Sequence, residues 1–202
     1  MDVGLQAQAV WVVGPGSAGV WGLAEAFLEE EALVSVVTTG GSGFPACALL
    51  PRRFGPRLRI VTVEGHDSLL AQSLLRALPA EPPKVIVLHR LSPSRFGPSD
   101  HEWDEFLRSH ATDLAPDGAA LVIVAHPAGQ DSPEGIQATL ALVGTRYRMW
   151  SGFVPPDRAL SLISLSEAAG DTREISLLGV FLATAGRNGV ALVDDEGLVQ
   201  MI

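Results

Sequence analysis

The sequence predicts an α/β protein built on a parallel sheet covered by helices on both faces, and three observations predict it. Short apolar runs at 10–13, 32–38, 84–88 and 120–125 are nearly continuous rather than alternating, as in strands buried on both sides. Stretches with helical spacing separate several of these runs, which is the alternation that gives parallel strands with helical crossovers. The chain has 202 residues, with 47% hydrophobic and 18% charged, enough apolar side chain for a core and too little charge for disorder. No linker or repeat interrupts it, so residues 1–202 read as one domain.

The elements follow in order. Val10 to Val13 form a β-branched run with Trp11, closed by Gly14-Pro15-Gly16-Ser17-Ala18-Gly19 and followed by helical spacing from Trp21 to Leu28. A second strand spans 32–38 and ends in Gly40, Gly41 and Gly43, completing a βαβ unit. From 40 to 56, Pro and Gly are frequent and no 3.6-residue period is visible, so irregular structure is expected. A third strand is expected at 59–63. Asp67 and Ser68 then cap a helix over 69–78, stopped by Pro79, Pro82 and Pro83 before a strand at 84–88. Ser99-Asp100 opens a helix through Trp103, Phe106 and Leu107. Strands at 120–125, 159–164 and 190–193 alternate with helices at 133–149 and from Asp171 or Thr172 to 185.

Composition removes several function classes. The net charge is −9, and the only basic cluster is Arg52, Arg53, Arg57 and Arg59, expected on a solvated loop, so the footprint of a nucleic-acid binder is missing. No uncharged apolar run reaches the ~18 residues of a membrane span, and Met1-Asp2-Val3-Gly4 does not open a secretory signal; a cytoplasmic protein is expected. The single cysteine, Cys47, can form neither an internal disulfide nor a thiolate-rich zinc site, and the histidines at 66, 89, 101, 110 and 126 have no metal-ligand spacing. Glu29-Glu30-Glu31 reads as a solvated helix end. His126, Asp131 and Ser132 share a loop, but such polar loops are commonplace and no hydrolytic role is assigned.

Gly14, Gly16 and Gly19 stand between a strand and a helix, where backbone amides and a helix N-terminus can hold a pyrophosphate. A dinucleotide site also places an acidic residue at the end of the second strand, on the adenosine ribose. Here that place holds Thr38, Thr39 and Gly40, with no basic residue for a ribose phosphate. The three glycines are therefore read as a vestigial nucleotide turn.

Several segments, in order, resemble the short-chain dehydrogenase/reductase family over almost the whole chain. The stretch from Glu174 to Ala185 followed by Gly189 to Leu198 resembles the family's last helix and closing strand. Ser99 to Leu107 is similar to its "eeWdrvl" helix, Ala120 to Gly129 to its fifth strand, and Asp157 to Ser164 to its sixth. The start, with Trp21-Gly22-Leu23-Ala24, resembles the glycine-loop variant of enoyl reductases. The resemblance implies a Rossmann-like sheet of order 3-2-1-4-5-6-7, shortened after strand two and lacking the family's second helix.

The family's chemistry rests on a Tyr-x-x-x-Lys pair, one helical turn apart, and a serine ending the fifth strand. Its lysine lowers the tyrosine's pKa so that the phenol can exchange a proton with the substrate oxygen. Lys84 is the only lysine here, Tyr147 the only tyrosine, and 63 positions separate them. On the resemblance, the tyrosine slot falls near Ile136, the lysine slot near Leu140 and the serine slot near His126. The expectation is no catalytic residue, no metal and no cofactor on this chain.

The helix at 133–149 carries Ile136, Leu140, Leu142, Val143 and Met149, more apolar surface than one buried stripe needs, and the end Leu198-Val199-Gln200-Met201-Ile202 has no charged side chain. Trp103 and Trp150 are expected in the core or at an interface. In the family these regions contact other subunits. The resemblance implies a non-catalytic subunit in a hetero-oligomer, a tetramer, with an active family member that carries NAD and oxidises an alcohol of the β-hydroxyacyl-CoA type. Two other readings stand beside it. Ala115 to Val124 resembles a strand of Rossmann methyltransferases, which would be marked by an antiparallel strand between strands five and six. A stand-alone ligand-binding or scaffold protein is the third.

Overall fold

The computed structural model describes residues 8–15, 18–39, 45–62, 84–89, 101–114, 119–125, 133–165, 188–193 and 199–201. The elements are β1 (Ala9–Pro15), α1 (Ala18–Glu29), β2 (Leu33–Thr39), α2 (Pro45–Phe54), a 3₁₀ turn (Gly55–Arg57), β3 (Leu58–Thr62), β4 (Val85–His89), α3 (His101–Leu114), β5 (Ala120–Ala125), α4 (Pro133–Ser151), β6 (Ala159–Leu165), β7 (Gly189–Val193) and β8 (Val199–Met201). The expected helices at 69–78 and 171–185 lie outside the described residues.

One sheet holds all eight strands in the order β3-β2-β1-β4-β5-β6-β7-β8. The first seven are parallel, in the expected order 3-2-1-4-5-6-7. β8 is antiparallel and lies outside β7, pairing Val193 with Val199 and Ala191 with Met201. An antiparallel strand between β5 and β6, the mark of the methyltransferase reading, is not what this order contains. The backbone of 199–201 pairs with the chain's own β7 on one side and lies at the sheet edge on the other.

Successive strand residues divide between two cores. Val10, Val12, Val34, Val36, Val85, Val87, Val122 and Val124 face α1 and α2, with Trp21, Leu23, Phe27 and Leu28 above them. Trp11, Val13, Val37, Ile86, Leu88, Leu121 and Ile123 face the other way, under Leu107 and Ala111 of α3 and Val143 and Trp150 of α4. Burial on both faces explains why these strands read as continuous apolar runs.

The segment expected to be irregular forms helix α2, ten residues long, so a helix follows β2 where none was expected. Pro45 opens it, a position where the missing N–H costs nothing. Pro51 lies inside it and does remove a hydrogen bond. Tertiary contacts outweigh that loss. Leu50 and Phe54 are buried, worth roughly 1.5–3 kcal/mol each. Arg53 bridges Glu25 and Glu29 of α1 and lies over the Phe54 ring at 4.8 Å; Arg57 lies over it at 5.5 Å. The arginine group expected on a loop therefore sits on the end of α2, the 3₁₀ turn and β3, where Arg53 ties the two helices together.

α1 ends as its acidic run predicts, with Glu29, Glu30 and Glu31 exposed. The amide of Ala32 donates to the Phe27 carbonyl and that of Glu31 to Leu28, the paired bonds of a Schellman cap. Arg57 adds a bond from Nη1 to the Leu28 carbonyl at 2.9 Å. Such a cap wants glycine at its left-handed position, and here Glu31 holds φ at 64°.

α3 and α4 are joined by a polar clamp within an apolar layer. Asp104 Oδ2 accepts from Arg146 Nη1, and Asp104 Oδ1 accepts from Trp150 Nε1 at 2.9 Å. Arg146 and Asp104 keep only 8% and 13% of their side-chain exposure, so either left alone would be an uncompensated charge out of water.

Two predictions follow from these local geometries. Glu31→Gly should raise the unfolding free energy in urea by about 0.5–1 kcal/mol, because the left-handed cap becomes strain-free; a destabilised variant would contradict the cap. Asp104→Ala should lower it by about 3–5 kcal/mol. A loss below about 1 kcal/mol, the range of an exposed pair, would show the clamp to be solvated.

Candidate functional site

In an open parallel sheet, ligands bind beyond the carboxyl ends of the strands, at the point where strand order reverses. Here that point lies between β1 and β4, both paired as parallel neighbours. The glycine turn emerges there. Gly14 is buried in β1, aligned on the α1 face with Val10 and Val12, and Gly19 is half-buried in the first turn of α1. Gly16 lies outside the described residues.

The register sets out the adenosine side of this place. Gly14 pairs with Thr38 of β2, and Thr38 with Thr62 of β3, so the three form a row on the α1 face. Thr62 is exposed, whereas Thr38 is only 2% exposed. Thr38 Oγ1 and the Nε1 of Trp21, also 2% exposed, are enclosed without a hydrogen-bond partner among the described residues. A hydroxyl that is to take a ribose has to be reachable, and this one is buried. It is also neutral, where ribose recognition by this type of turn uses a carboxylate. Arg52, Arg53 and Arg57 lie around the last turn of α2, which leads into the start of β3, away from the strands' carboxyl ends. Among the described residues, no carboxylate stands at the end of β2.

The residues that could have made a reaction centre are not together. Lys84 is exposed just ahead of β4: its amide donates to the Ala9 carbonyl and its carbonyl accepts from the Ala120 amide, level with the starts of β1 and β5. That is the edge away from the site. Tyr147 lies 14 residues into α4, about 20 Å along the axis from the first turn, which follows β5 at the site edge. It packs half-buried against the α3–α4 core. Burial raises its phenol pKa above the ordinary 10.0, opposite to what a neighbouring ammonium does in a proton-transferring tyrosine. Ile136 and Leu140, at the slots the family resemblance gives to tyrosine and lysine, are one turn apart on α4, with Leu140 half-buried. His126, Asp131 and Ser132 lie outside the described residues. Among the described residues, no three His, Cys, Asp or Glu side chains stand close enough to hold a metal ion, and no helix is long and apolar enough to cross a membrane.

Trp150 proves to be a core residue, 1% exposed and held by Asp104. The clamp it belongs to was not anticipated, although an arginine four residues before Trp150, on the buried stripe of α4, is its signal. The exposed positions of α4 among those described are Glu134, Gln137, Ala138, Ala141, Thr145, Arg148 and Ser151. The apolar excess expected there is reduced: Leu140, Leu142 and Met149 are half-buried by the protein's own packing.

Two measurements test this geometry. Thr38→Val exchanges an unpaired buried hydroxyl for a methyl of like shape. It should stabilise the fold by about 1 kcal/mol and leave the calorimetric titration with NAD unchanged from the wild type; binding that Thr38→Val weakens would mean the hydroxyl holds a ribose. The second concerns pH. The unfolded chain releases the Tyr147 proton near its ordinary pKa of 10.0 while the folded chain still holds it, so native stability falls as the pH rises above 10.0. Tyr147→Phe should lose less stability on that alkaline limb; identical slopes would show the phenol to be solvated.

No protein-family model matches the chain, and no curated protein does. Solved structures do. A carbonyl reductase from Pseudomonas aeruginosa PAO1 superposes with a TM-score of 0.66 at 18% identity, covering 96% of this chain and 99% of that one. A structure of that carbonyl reductase in complex with NADP gives 0.64 at 19% over the same shares. A short-chain dehydrogenase/reductase from Brucella melitensis, of the glucose/ribitol dehydrogenase type, gives 0.63 at 12%, covering 98% and 99%. Across nearly its whole length, the chain has the fold of the short-chain dehydrogenase/reductases.

Proposed function

We propose that this chain is a non-catalytic subunit of a hetero-oligomeric, NAD-dependent alcohol dehydrogenase of the β-hydroxyacyl-CoA type, assembled with an active short-chain dehydrogenase/reductase. The observation that carries the reading is the fate of the reactive pair. The only tyrosine and the only lysine stand on separate elements, both away from the strands' carboxyl ends. Residues at the corresponding helix positions, Ile136 and Leu140, have no proton to exchange. The buried, neutral Thr38 supports a second part of the reading, that NAD is held by the active partner and not by this chain.

A frame kept over 202 residues without its chemistry has a physical use. A subunit that binds only the folded form of its partner stabilises that form by mass action. It can also complete walls of the partner's substrate pocket. The tetramer and a CoA thioester as substrate belong to this proposal.

Co-expression with the product of a neighbouring gene that carries an intact Tyr-x-x-x-Lys pair tests it. Size exclusion with native mass analysis should show one complex containing both chains. Within that complex, Tyr→Phe in the partner should cost at least about 10²-fold in kcat, the lower range for a proton-transfer group. Tyr147→Phe in this chain should leave kcat and KM unchanged. Separate elution of the two chains, or a comparable loss from Tyr147→Phe, would remove the proposal.

A further inference from the structure

We draw no further inference here: the strongest candidate, the groove of about 530 Å³ between α1 and α2 lined by Glu25, Leu49, Leu50, Arg52 and Arg53, with Leu49 58% exposed, carries nothing because nothing in the structure shows what covers it.

Discussion

The burial of a parallel sheet on both faces is the constraint from which the rest of this molecule follows. Strands that run the same way need crossovers, and strands apolar on both sides need those crossovers to be covering helices. Val10 and Val12 go to one core and Trp11 and Val13 to the other. The same arrangement gathers every carboxyl end of β1 to β7 along one edge. Chemistry in such a fold is decided by what stands on that edge, and Lys84 and Tyr147 do not stand there.

Much of the fold was legible because its signals are local. Continuous β-branched runs gave the strands, and the turn from Gly14 to Gly19 gave the first crossover. α2 was not legible: two prolines and no clear period hid a helix whose stability comes from Leu50, Phe54 and the Arg53 bridges to α1, all contacts distant in sequence. β8 was missed for a similar reason. Three residues carry almost no periodicity, and only their register with β7 makes them a strand.

The candidate site divides in the same way. The lack of a Tyr-x-x-x-Lys pair is a fact of composition and spacing, readable without coordinates. Thr38 was readable as a missing acid, but not as a buried hydroxyl, since burial is set by packing that the sequence does not print. The Asp104–Arg146–Trp150 clamp joins residues 42 and 46 positions apart, and spacing alone cannot pair them. Together these features describe a short-chain dehydrogenase/reductase fold in which the only tyrosine and the only lysine stand apart. The proposed association with an intact relative uses such a frame without asking it for chemistry.

The most direct measurement is turnover by the purified chain alone, followed by the absorbance of reduced nicotinamide with NAD or NADP and a set of secondary alcohols that includes β-hydroxyacyl-CoA thioesters. The account predicts no enzyme-dependent reduction at any protein concentration. Saturable turnover that scales with this chain, and persists in preparations free of other dehydrogenases, would contradict it.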